Sequence, residues 1–179
     1  MMKDECGMMK TPVKKLIGIT GAHGTGKTQA ALSRARAVKD TYPELRVGLL
    51  MEVAAECPFP INKEATEDAQ LWIFTAQLAR EIEMMRHYDL IVCDRTPADA
   101  IAYTWCLGFE PMALAMARVA GPYIRRNYQK IIFRTCQKNH FCHADGRRDT
   151  DMEFRTAIES ELRSVYRRMD LPAELFQYI

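Results

Sequence analysis

The chain has 179 residues, 48% of them apolar and 27% charged, the make-up of one ordinary globular domain rather than of a disordered or fibrous chain. Lys and Arg number 25 against 23 Asp and Glu. That near balance excludes the electrostatic footprint of a dedicated nucleic-acid binder.

Residues 1–12 read as a flexible tail ending at Pro12, with Asp4 and Glu5 among lysines and no apolar signal core. Nowhere does the chain approach the roughly 18 apolar residues that cross a bilayer, so a cytoplasmic protein without a membrane partner is expected. Residues 13–179 then form a single domain. Short apolar runs at 15–20, 47–51, 90–94 and 130–134 predict buried strands, and 176–179 predicts a short fifth. Helical patterns fall between them at 26–40, 64–87, 97–107, 112–127 and 151–169. That order predicts an α/β fold, a doubly wound parallel sheet of about five strands with helices on both faces. Thr96 with Pro97 and Asp99 predicts a sharply capped helix start, and Thr150 with Glu153 fits a capping box.

Six cysteines contain no Cys-x-x-Cys pair and read as reduced thiols, with Cys93 and Cys106 packing as small hydrophobes. Cys136, His140, Cys142 and His143 crowd together, but their spacings match none of the usual zinc patterns, so a polar loop is expected there.

The chemistry concentrates in Gly21-Ala22-His23-Gly24-Thr25-Gly26-Lys27-Thr28, which matches the Gly-x-x-x-x-Gly-Lys-Ser/Thr phosphate-binding loop and stands between a strand and a helix, as that motif requires. Backbone amides of Gly21, His23, Gly24, Thr25 and Gly26 are expected around the phosphates of ATP, with the following helix presenting its positive end. Lys27 reaches the β and γ phosphates, and the Thr28 hydroxyl ligates Mg²⁺. A second Mg²⁺ ligand is expected at the carboxyl end of a central strand, where Leu90-Ile91-Val92-Cys93 delivers Asp94 to the crevice. Glu52 ends another apolar run and is a candidate base and acceptor contact. Gln77, with Phe74 nearby on a helix, suits a nucleobase. Trp72 reads as core. Arg147, Arg148 and Arg155 gather around one helix start and read as a lid over the transferred phosphoryl group, spanning about 137–150.

The Asp94-Arg95 pair resembles thymidylate kinases and deoxynucleoside kinases, where an Asp-Arg or Glu-Arg pair follows the central strand. Glu52-Val53-Ala54, Phe59-Pro60-Ile61-Asn62-Lys63, Trp72-Ile73-Phe74-x-x-Gln77, Asp94-Arg95-Thr96-x-x-Asp99 and Asp145-Gly146-x-Arg148 are similar to P-loop proteins of the AAA-type ATP-binding family related to the ribosylnicotinamide kinase domain of the bacterial NAD regulator. These blocks span about residues 15–168. The resemblance implies a P-loop NTPase fold of nucleoside-kinase type with a lid, and transfer of a phosphoryl group from ATP to a small nucleoside-like acceptor. It also implies Glu52 as base, Gln77 as reader of the nucleobase, and Arg95 with the lid arginines as stabilisers of phosphoryl charge. Such relatives continue past the lid helix through another strand and an edge element, whereas this chain stops at Ile179, which implies an edge that is either reduced or completed by a partner subunit in a homodimer. The rival reading is a nucleotide-binding regulatory switch without an acceptor, although no Asn-Lys-x-Asp guanine motif occurs. A third, polynucleotide end kinase, rests only on Arg125-Arg126 and Lys130.

Overall fold

The structure, a computed structural model, describes residues 15–135 and 152–179. Five strands form one sheet: β1 (Leu16–Thr20), β2 (Val47–Leu50), β3 (Leu90–Asp94), β4 (Tyr128–Phe133) and β5 (Phe176–Tyr178). Their order is β2-β3-β1-β4-β5, and every neighbouring pair is parallel. The helices are α1 (Lys27–Thr41), α2 (Glu67–Met84), α3 (Pro97–Cys106), α4 (Glu110–Asn127) and α5 (Met152–Arg168).

The unbroken apolar runs are two-faced when placed in the sheet. Ile17, Ile19, Leu90, Val92 and Ile132 pack with Ala31 and Val38 of α1 on one side. Their alternates Leu16, Ile91, Cys93, Ile131 and Phe133 pack with residues of α2 to α5 on the other. Covering both faces removes the polar positions that would have marked a period of two, and leaves β1 and β3 fully buried.

Gly18 is the one β1 position where the sheet cannot carry a side chain at its present spacing. A Cβ there meets Thr96 Cγ2 at 2.4 Å and a ring carbon of Tyr128 at 2.8 Å. Both neighbours are buried, and the Tyr128 hydroxyl is held by Glu81. Gly18→Ala is therefore expected to lower unfolding stability by about 1–3 kcal/mol in a urea titration, the usual cost of overpacking a core. An unchanged midpoint would mean that α3 slides to make room.

Boundaries differ from the sequence expectation by two or three residues in four places, α2 also ending at Met84 rather than 87 and α4 starting at Glu110 rather than 112. The second helix starts at Glu67 rather than 64, because Thr66 caps it by accepting from Ala69 N at 3.2 Å and residues 62–64 form a short 3₁₀ turn instead. Strand β4 begins at Tyr128, already paired with Leu16. The sharp start at Thr96 is as expected: Thr96 N donates to Asp99 Oδ2 at 2.8 Å, closing a capping box with Pro97 in the first turn. Thr150, the tail and the Cys136, His140, Cys142, His143 cluster lie outside the described residues. Among the described residues no helix is long and apolar enough to cross a membrane.

Connections from β1 and β3 leave in opposite directions along the sheet, one through α1 toward β2 and the other through α3 and α4 toward β4. A crevice consequently opens between the carboxyl ends of these two adjacent strands, where Ile19 and Asp94 are in register.

Candidate active site

The loop after β1 supplies the floor of that crevice. Gly21 has φ 144, and a Cβ on it would sit 2.3 Å from the Arg134 carbonyl oxygen, so the loop can cross the end of β4 only with glycine there. Gly26, at φ 75, turns the chain directly into α1. That helix has neither a side-chain cap nor an acidic residue in its first turn, so its first N–H groups remain available to an anion.

The side chains of the loop are already ordered around this opening. Lys27 is buried, its Nζ donating to the Ala22 carbonyl at 2.7 Å, and Thr25 Oγ1 donates to the same oxygen at 2.9 Å. Burial, with the neighbouring Arg95 charge, pushes the Lys27 ammonium down to about 7. On the outer side, Arg134 Nε donates to Thr25 O at 3.2 Å and Arg155 Nη2 to Gly24 O at 3.3 Å. Two guanidinium groups thus hold loop carbonyls from outside.

Asp94 ends β3 as expected and is buried. Its Oδ2 accepts from Thr28 Oγ1 at 2.6 Å, whereas its buried Oδ1 has no hydrogen-bond partner among the described residues. Burial raises its pKa against the opposing pull of the Thr28 hydroxyl. A hard oxygen pair with one unsatisfied carboxylate atom, beside an anion-binding loop, is the donor chemistry that suits Mg²⁺.

Glu52 lies just past β2, and because β2 neighbours β3 it meets Arg95. Glu52 Oε1 accepts from both Arg95 Nε and Nη2 at 2.6 Å. Arg95 Nη1 lies 3.5 Å from Asp99 Oδ1, and the guanidinium carbon stands 5.6 Å from the Tyr103 ring centre. Burial alone would depress the Arg95 pKa, but the charges of Glu52, Tyr103 and Asp99 hold it well above its ordinary value. Its backbone sits at φ 92, a left-handed conformation strained for a residue with a Cβ.

These groups line one cavity of about 540 Å³, together with the loop residues His23, Gly24, Gly26, Lys27 and Thr28. His23 is buried, with Nδ1 3.2 Å from the Tyr103 hydroxyl. Gln77, expected to read a base, is not among the lining residues. Its amide is turned onto Glu81 Oε1 at 2.7 Å and the Arg95 carbonyl at 3.4 Å. Gln70, two turns earlier on α2, lines the cavity instead, beside Ile73. Sequence reasoning missed Gln70, Tyr103 and Arg134, and took Asp99 only as a cap. The Arg95/Asp99 spacing of four was the available signal for the last. Trp72 packs half-buried against the core. Arg147 and Arg148 lie outside the described residues.

A five-stranded parallel sheet with a phosphate loop at its switch point, and an Asp-Arg pair on the adjacent strand, defines a P-loop NTPase fold of the nucleoside-kinase type. Residues 16–176 match the model of an AAA domain family, and the chain belongs to that family. No curated protein matches the sequence. Among solved structures, it is similar to thymidylate kinase from Ehrlichia chaffeensis, with a TM-score of 0.68 at 15% identity over 94% of this chain and 93% of that one. It is similar also to deoxyadenosine kinase from M. mycoides with bound dATP, with a TM-score of 0.60 at 13% identity over 92% and 90%. NadR protein in complex with NR gives a TM-score of 0.62 at 18% identity, over 92% of this chain but only 43% of that one.

Proposed function

We propose that the protein is a Mg²⁺-dependent kinase that transfers the γ-phosphoryl group of ATP to a hydroxyl of a small nucleoside-like acceptor. The observation that carries the reading is one cavity with two chemically distinct ends. One end is the loop with Lys27 and Thr28, whose hydroxyl is bonded to Asp94; the other is the Glu52, Arg95, Asp99 and Tyr103 group, which a nucleotide-binding switch has no need of.

In this reading the loop amides, from Gly21 through Gly26, and Lys27 hold the phosphates of ATP. Thr28 and Asp94 are the protein ligands for Mg²⁺, which when bound neutralises charge shared between the β and γ phosphates. Glu52 accepts the proton of the acceptor hydroxyl as its oxygen bonds to the γ-phosphorus, and the bond to the β–γ bridging oxygen breaks to release ADP. Because phosphoryl transfer passes through a loose transition state, positioning matters more than basicity, and an Arg95-bound carboxylate is suited to it. Arg95, and Arg148 from the lid at about 137–150, stabilise charge on the transferring group, with Arg147 on the nucleotide phosphates. Gln70 faces the acceptor cavity with an amide of the kind that reads a nucleobase, and replaces Gln77 in that role.

Incubation of nucleosides, nucleoside monophosphates and ribosylnicotinamide with γ-labelled ATP and Mg²⁺ tests the reading, since a labelled product names the acceptor. Hydrolysis alone across the panel would favour the switch.

The depressed Lys27 pKa gives a prediction of its own. With the free-protein value near 7, Lys27 is mostly neutral at pH 8 and charged at pH 6. Phosphate oxygens favour the ammonium, so Mg-ATP binding should take up close to one proton at pH 8 and almost none at pH 6. Isothermal titration calorimetry in two buffers of different ionisation enthalpy measures this. No uptake at pH 8 would mean that Lys27 does not meet the phosphates.

A further inference from the structure

Behind the cavity lies a polar group that the proposed chemistry does not use. Gln77 and Glu81 stand one turn apart on α2, both buried, and neither lines the cavity. Gln77 Nε2 donates to Glu81 Oε1 at 2.7 Å, and the Tyr128 hydroxyl on β4 donates to the same oxygen at 2.6 Å. The same Gln77 nitrogen reaches the Arg95 carbonyl at 3.4 Å. That carbonyl belongs to the residue at φ 92. A strained peptide persists only where its surroundings hold it. On the cavity side Glu52 and Asp99 hold the guanidinium; along the backbone Arg95 N donates to Ile19 O at 2.9 Å and Thr96 N to Asp99 Oδ2 at 2.8 Å, and the side chain that reaches the Arg95 carbonyl is Gln77.

We propose that Gln77 and Glu81 are positioning residues for Arg95: Glu81 and Tyr128 orient the Gln77 amide, which fixes the Arg95 carbonyl and so aims the guanidinium between Glu52 and Asp99. The catalytic consequence rests on the kinase reading, in which Arg95 acts on the transferred group; the positioning itself does not. An ionised Glu81 grips the amide through a charge-assisted bond, and a protonated one grips it less. Burial pushes the Glu81 carboxyl up to about 7, against the pull of the Tyr128 and Gln77 hydrogen bonds. The titratable groups facing it are Cys93 on β3, Tyr123 on α4, Tyr128 on β4 and Tyr166 on α5, and burial raises all four. Glu81 is thus the member of the group that changes charge near neutrality, and Arg95 should loosen as pH falls through about 7.

The test uses ¹⁵N-arginine-labelled protein without nucleotide and follows the Arg95 Nε–H signal, assigned by its loss in Arg95→Lys. Each variant is compared with wild type, which removes contributions from the other ionisable side chains near Arg95, namely Lys27, Glu52, Asp94, Asp99 and Tyr103. In wild type the signal should titrate with a midpoint near 7. In Glu81→Gln that component should vanish. In Tyr128→Phe its midpoint should rise, because a hydroxyl that stabilises the carboxylate is gone. In Gln77→Leu the link is cut, and the Arg95 Nε–H should exchange with solvent about tenfold faster, the effect of one lost hydrogen bond. A titration unchanged in Glu81→Gln, or an exchange rate unchanged in Gln77→Leu, overturns the proposal. No turnover is measured, so a protein that phosphorylates nothing in the acceptor panel would sink the kinase reading and leave this result standing.

Discussion

Lys27→Ala is expected to cut phosphoryl transfer by at least about 10²- to 10³-fold, the loss typical of removing one preorganised charge from a transition state, and to weaken ATP binding as well. The residue is buried, and its ammonium touches the Ala22 carbonyl at 2.7 Å rather than a carboxylate. No ion pair among the described residues is therefore broken by the change. The fold should tolerate it, since a buried ammonium with a pKa pushed down to about 7 costs the folded state stability rather than adding to it. The sign follows from linkage. Between about 7 and the ordinary value of 10.5 the folded protein holds fewer protons than the unfolded chain, so the Lys27 contribution makes stability rise with pH across that window. The denaturation midpoint at pH 10 relative to that at pH 7 should therefore be lower in Lys27→Ala than in wild type. A variant that turns over at the wild-type rate removes the phosphate role. A variant that loses transfer together with its folded circular dichroism says nothing specific about phosphate, and Lys27→Met then serves as the better-packed replacement.

The parts of this site that were legible in the sequence are those fixed by backbone geometry. A phosphate loop needs glycines at set positions between a strand and a helix, and Gly21 and Gly26 adopt positive φ as that requires. Asp94 and Glu52 were legible because each ends an apolar run, and parallel strands deliver their carboxyl ends to one edge. The strands themselves were legible because both faces are covered, which turns an alternating pattern into a continuous apolar one.

What was not legible depends on depth along a helix and on where long side chains turn. Gln70 and Gln77 are two turns apart on nearly the same face of α2, so periodicity could not separate them. Packing does: Gln77 has Glu81 four residues on to bond with, and that pair draws its amide away from the cavity. An i, i+4 Gln and Glu pair was visible and could have argued for this. Arg134 has no comparable signal. It directly follows β4, and only the parallel pairing of β4 with β1 brings its guanidinium to the phosphate loop. Asp99 was recognised as a cap, but a cap residue usually has its carboxylate satisfied locally. Here Oδ2 takes Thr20 and Thr96 while Oδ1 faces Arg95, so one side chain serves the helix start and the cavity at once.

Glu52→Gln is expected to lower kcat by about 10²- to 10⁴-fold, the range for loss of a positioned general base, with the KM for ATP nearly unchanged because the loop, Thr28 and Asp94 are untouched. The structure gives this variant a second possible effect. Glu52 Oε1 receives two donors of Arg95, and replacing the carboxylate by an amide leaves that guanidinium with Asp99 as its remaining charged partner at 3.5 Å. A loss of kcat alone would not separate a missing base from a misplaced arginine. Acceptor acidity separates them. A base matters less when the attacking hydroxyl already gives up its proton readily, so the deficit of Glu52→Gln should shrink for an acceptor whose hydroxyl is acidified by a neighbouring fluorine. An arginine that stabilises phosphoryl charge is indifferent to the acceptor proton, and the Arg95→Met deficit should be the same for both acceptors. A Glu52→Gln deficit that stays constant across the two acceptors would assign Glu52 to holding Arg95, and Asp99, the other carboxylate within reach of that guanidinium, would become the residue to test as base.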